Sequence, residues 1–366
     1  MRRILSAVAV AVLAAPVLTV GGTEPALPGM PPVLDPHDVY AAARPGEMSA
    51  AVRGVVSRIY VPNSRSASVD VIDPATYQIV DHFPVGREPQ HVTPSYDLKS
   101  LWVLADRGDQ LTRIDPVTGR KGASVHVEDP YNMYYTPDGR YAIVVAERKR
   151  RLDFRDAHTL ALEHSLQVPC RGVDHMDFSA NGRYLIASCE FSSEMIKVDV
   201  AEQKLLGTLT LPGGAMPQDV RLSPDGSVFF VAGMMTGGVF VIDGEEMKIL
   251  GFIPTGKRTH GLYFSRDSKW LYASNRGEGS VSVIDVRSRR VDRKWVFPGG
   301  GSPDMGGVSA DGKVLWLSGR YHSEVYAIDT ANGKLLARIK VGVEPHGLCV
   351  WPQPGRYSLG HTGLMR

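Results

Sequence analysis

Histidine and carboxylate recur at one slot of this chain. Ahead of successive short apolar runs the sequence reads Pro89-Gln90-His91, Pro130-Tyr131-Asn132, Val173-Asp174-His175, Pro217-Gln218-Asp219, Arg258-Thr259-His260, Pro303-Asp304-Met305 and Pro345-His346-Gly347. Neutral imidazole and carboxylate bind metal ions and carry protons. His91, Asn132, Asp174, His175, Asp219, His260, Asp304 and His346 are therefore candidate ligand-binding residues, and the four histidines are candidate metal ligands. The same residue types also serve a structural end, satisfying backbone groups and channel water. A second slot holds Asn63, Arg107, Arg148, Glu190, Met234, Arg276 and Arg320. Four guanidinium groups at one level make an anion-binding field, unless neighbours such as Asp106 and Glu147 hold them in solvated ion pairs. The chain contains no GxSxG, HExxH or CxxC motif, so no complete catalytic set declares itself.

The elements that must position these residues follow from a repeat. Asp73, Asp115, Asp156, Asp199, Asp243, Asp285 and Asp329 close similar apolar tripeptides at spacings of 41 to 44 residues. A period of that length with about four short strands per unit predicts a β-propeller, one radial blade per unit, and seven copies predict seven blades. Blade 3 shows the pattern, with strand B over 141–146, strand C over 151–155 and strand D over 162–168. The first unit supplies only strands B, C and D, from residue 58 onward. The run His346 to Trp351 is expected to return as its strand A, giving a 1+3 closure that leaves no exposed sheet edge. In such a fold the D-to-A and B-to-C connections open on one face, so both slots lie at one mouth of the central channel.

The segments Ile59-Tyr60-Val61-Pro62-Asn63 through Val71-Ile72-Asp73 and Leu271-Tyr272-Ala273-Ser274-Asn275 through Val283-Ile284-Asp285 resemble the YVTN repeat. The chain is thereby similar, over 58–351, to secreted seven-bladed propellers of the YncE-like and surface-layer-like kind, and distantly to d1-haem propeller domains. The resemblance implies an all-β seven-bladed propeller and transfers no catalytic residue, because the repeat consists of turn and core positions. Lactonases and the amine dehydrogenase heavy chain share the architecture.

A formal net charge of +2 asks for neither nucleic acid nor an anionic membrane as partner. Met1-Arg2-Arg3, the apolar run from Ile4 to Val20 and Gly21-Gly22-Thr23 read as a signal peptide over 1–22, with an uncleaved anchor as the alternative. No later run is long and apolar enough to span a bilayer, so the mature chain is expected to be secreted or periplasmic. Residues 23–57 are a proline-rich extension, 58–351 the propeller, and 352–366 a tail expected to pack on the closing blade. Of the three cysteines, Cys170 and Cys189 come to the same face of blade 4 and are expected to pair, leaving Cys349 as a buried thiol. Two functions fit: a binding protein taking an anionic small molecule or a protein partner at the funnel mouth, or an extracytoplasmic enzyme, metal- or haem-dependent or lactonase-like, that uses the funnel histidines. The sequence leaves the cofactor, and whether the chain is an enzyme at all, open.

Overall fold

The computed structural model of the protein describes residues 25–366, so the signal peptide read over 1–22 lies outside the described residues. Seven four-stranded antiparallel sheets are arranged as blades. Their innermost strands are Cys349–Trp351, Pro89–Pro94, Pro130–Tyr135, Val173–Phe178, Pro217–Leu222, Thr259–Phe264 and Pro303–Val308, for blades 1 to 7. Blade 1 closes in the 1+3 manner: Arg58, Ile59 and Tyr60 pair with Trp351, Val350 and Cys349. Inner strands are buried on both faces because neighbouring blades cover them. The outermost strands alternate or face water throughout, as in Lys204–Thr210 and Lys121–His126.

Two local devices explain the repeat. Each periodic aspartate ends a C strand and folds the following turn by accepting backbone N–H groups, as Asp73 does from Ala75 (2.9 Å) and Asp243 from Glu245 (2.9 Å). The turn between strands A and B carries a second bracket, a hydroxyl donating to a side-chain oxygen two residues on: Ser95 to Asp97, Thr136 to Asp138, Ser179 to Asn181 and Ser223 to Asp225. Cys170 and Cys189 are bonded through sulfur, with Cα atoms 6.0 Å apart, and Cys349 is a buried free thiol.

The extension from residue 25 onward and the tail gather on the face opposite the candidate mouth. The extension hydrogen-bonds the A-to-B turns, Leu27 N–H to the Asn181 carbonyl (2.8 Å) and Val39 N–H to that of Pro224 (2.7 Å), and buries Leu27, Val39, Tyr40 and Val52. The tail leaves the closing blade and crosses the channel axis, contrary to the expectation that it packs on blade 1. Gly360 bridges to Tyr134 in blade 3, Thr362 donates its hydroxyl to the Gly306 carbonyl in blade 7, and Arg366 pairs with Asp177 in blade 4 at 3.0 Å. Its apolar side chains Tyr357, Leu359, Leu364 and Met365 are buried. They find no equivalent cover on the flank of a blade. Among the described residues, no helix is long and apolar enough to cross a membrane.

Candidate functional site

Every inner strand from blade 2 to blade 7 breaks register with its neighbour at its start, for example between Pro89 and His91 and between Thr259 and Leu262. A regular strand sends successive side chains to opposite faces, whereas a bulge re-aims them. Two successive positions thus both reach the axis. The upper layer holds Asp174, His260, Asp304 and His346, and the lower holds His91, Asn132, His175 and Asp219. This explains why histidines offset by one residue in sequence form one ring. Centroid separations are 5.5 Å from His91 to His175, 6.2 Å from His175 to His260, 5.6 Å from His260 to His346 and 5.0 Å from His346 to His91. Gly347 makes room for it: a Cβ there would stand 2.1 Å from the His91 ring.

A fifth imidazole completes the floor. His361 rises from the tail to within 5.0 Å of His175 and 5.3 Å of His91, centroid to centroid, and it lies outside the repeat that revealed the others. All five rings are buried. Burial pushes His91 down to about 3 and holds the other four well below the usual histidine range, so the rings are neutral at physiological pH. His91 Nδ1 faces the Tyr131 carbonyl at 2.9 Å. The Asn132 amide reaches Nδ1 of both His175 (3.1 Å) and His361 (3.0 Å). Asp304 faces His260 (3.0 Å) and His346 (3.4 Å). Asp174 accepts from Ser188 and from the His175 backbone, and Asp219 pairs with the buried Arg221 at 3.3 Å. Burial raises the carboxyls of both Asp174 and Asp219, the latter to about 6.

Above the floor the channel widens into a polar funnel of about 870 Å³, counted to its open mouth. Three of the four candidate arginines line it as members of ion pairs. Arg107 meets Glu88 at 2.6 Å, Arg148 meets Asp129 at 2.7 Å and Asp106 at 3.2 Å, and Arg276 meets Asp304 at 3.1 Å. Arg320 makes no salt bridge among the described residues and lies against His346. Of the two readings of these arginines, ion pairing holds for three, and Arg320 stays outside ion-pair range while acting on Glu190 and Asp304. Glu147 and Glu190 add carboxyls that the sequence reading passed over as binding groups.

Burial, reinforced by Asp106, Glu190 and Asp129, pushes Glu147 up to about 8. Its folded pKa lies above the unfolded one, so the folded state keeps a proton that the unfolded chain has lost, and stability falls as pH rises from about 4.5 to about 8. Glu147→Gln removes that penalty. The variant should melt higher than the parent at pH 9 by up to roughly 10 °C, the shift that about 4–5 kcal/mol gives in a large domain. The gap should close by pH 5 in a thermal-shift series, and an offset independent of pH would contradict this account.

A family model for the YNCE-like beta-propeller matches residues 7–354. The chain belongs to that family. The uncharacterized protein YncE of Salmonella typhi is 28% identical over 178 residues, which is 45% of this chain and 49% of that protein. The chain thus spans about half the length of this curated relative. Among solved structures, dihydro-heme d1 dehydrogenase NirN, in complex with DHE, superposes with a TM-score of 0.60 at 18% identity, over 84% of this chain and 77% of that one. A putative 6-phosphogluconolactonase from Bacteroides uniformis gives 0.64 at 16% identity, over 80% and 99%. At such identities these neighbours show the fold, which hosts unrelated activities within the family's architecture.

Proposed function

We propose that the chain is an exported binding propeller that takes a small anionic ligand into its funnel, with the anionic group directed at Arg320. The observation that carries this reading is a polar funnel in which Arg320 alone of the four arginines makes no salt bridge among the described residues, its charge felt only at longer range by Asp304 and Glu190. Such a group gains most from an incoming carboxylate or phosphate, whereas Arg107, Arg148 and Arg276 already have theirs. The bonded Cys170 and Cys189, together with the basic, apolar and small-residue order of residues 1–22, support an oxidising compartment outside the cytoplasm.

Titration calorimetry with citrate, inorganic phosphate and 6-phosphogluconate, the last prompted by the lactonase-like neighbour, tests it. Arg320→Ala should weaken binding by about 10- to 100-fold, the worth of a charge-assisted contact, and flatten its salt dependence. Arg107→Ala, at the exposed rim, should leave both nearly intact. Equal affinity in the parent and Arg320→Ala, or no binding by any of the three, would refute the assignment. The neutral imidazoles of the floor favour a second reading, a metal- or haem-dependent oxidoreductase or a lactonase-like hydrolase. A visible absorption band in protein purified from its host, or hydrolysis of a lactone, would favour it over the binder.

A further inference from the structure

The lower layer of the floor combines three observations that the ligand reading leaves unused. One ring nitrogen from each of His91, His175 and His361 lies within 4.8 Å of the other two. The Nε2 atoms of all three are buried without a hydrogen bond, as is that of His346, and the carboxylate nearest to His361 Nε2 is Asp219, at 3.8 Å. A buried polar atom left without a partner costs about 1–3 kcal/mol, so three ring nitrogens this close together favour a shared occupant. The outer nitrogens, in contrast, are engaged: His91 Nδ1 faces a backbone carbonyl, and one amide, Asn132, reaches both His175 and His361. At His91 the carbonyl fixes the Nδ1–H tautomer, as in metal-binding histidines, whereas at His175 and His361 the tautomer is set by which way the Asn132 amide points.

We propose that His91, His175 and His361 form a transition-metal site, and that the ion clasps the C-terminal tail to the propeller. Three imidazoles without a thiolate suit Cu(II), Ni(II) or Zn(II) rather than the hard, oxygen-seeking Mg(II) or Ca(II), and Cu(II) is favoured by intrinsic affinity. Asp219, with Oδ1 3.8 Å from His361 Nε2, is the carboxylate placed to join them. With the Asn132 amide nitrogen toward the two Nδ1 atoms, the ring protons of His175 and His361 sit on Nε2. A half-turn of the amide presents its oxygen instead and stabilises the Nδ1–H tautomers, freeing both Nε2 lone pairs, at the expense of the bond that oxygen accepts from the Met133 N–H (2.9 Å). The tail contributes one ligand from outside the blades, because His361 lies on it while His91 and His175 stand on propeller strands.

The test uses the full chain without a polyhistidine tag, freed of metal by chelator and titrated with Cu(II), Ni(II) and Zn(II) against a chromophoric competitor. One equivalent of Cu(II) or Zn(II) should bind, and the Cu(II) adduct should show nitrogen hyperfine structure in its electron paramagnetic resonance spectrum. His361→Ala and, separately, His91→Asn should each lower the affinity by about 100-fold. The His91 variant leaves the tail sequence untouched and so guards against a loss caused only by a loosened tail. Metal should slow hydrogen exchange at residues 357–365 in the parent and not in either variant. Absence of stoichiometric binding, or binding that survives both substitutions, would overturn the site, and metal binding without added protection of the tail would overturn the clasp. The site does not depend on the anion reading: Arg320→Ala should still bind metal, and metal-free protein should still respond to salt and anion as the funnel predicts.

Discussion

A chain lacking residues 345–366 is expected to aggregate and to lose its cooperative melt, whereas one lacking only 352–366 should remain folded with a reduced Tm. The longer deletion removes the inner strand of blade 1 and leaves the whole edge of Arg58–Asn63 unpaired beside a hydrophobic cluster that includes Leu348 and Val350. Beyond what the shorter deletion takes away, it removes the buried side chains of Leu348, Val350 and Trp351. At about 1.5–3 kcal/mol per large apolar side chain this extra loss is roughly 5–9 kcal/mol, within the range of a whole domain's stability. Size-exclusion chromatography with calorimetry of the two truncations checks the contrast. Equal behaviour of the two would show that closure of blade 1 contributes little.

Asp177→Ala should cost about 3–5 kcal/mol and lower Tm by roughly 10 °C, since it strands a buried guanidinium. Asp177 binds Arg366 at 3.0 Å, accepts the Leu222 N–H of the next blade at 2.8 Å, and faces the Tyr40 hydroxyl at 3.4 Å. One carboxylate therefore joins the extension, the tail and two blades. Arg366 also lies over the Tyr40 ring, 4.2 Å from its centroid. Adding Arg366→Met to Asp177→Ala should recover part of the loss, because the unpaired charge is then gone. A double variant whose cost equals the sum of the singles would remove the coupling from the account.

The architecture was legible because its code is local. The periodic aspartates and the Ser/Thr–Asp brackets act within two to three residues of themselves, and so they repeat visibly along the chain. The four channel histidines were legible because they share a slot, although their common orientation depends on bulges that no residue type announces. The pairings of the arginines were harder to read. Arg148 finds Asp106 in the preceding blade, at an offset of one period, and Arg276 finds Asp304 in the following one. His361 carries no repeat. The only signal for it was an alternation of apolar and small residues from Tyr357 to Met365, too apolar for a solvated tail.

The tail also decides the traffic through the channel. Among the described residues Gly360 and His361 lie across its lower end, and the funnel opens on the opposite side. Whatever rests on the imidazoles must depart past the wall that carries Arg320, so an occupant of the upper funnel acts as a cork and lengthens the residence time of the one below. Release is thereby ordered, last in and first out, by connectivity alone and without any moving part.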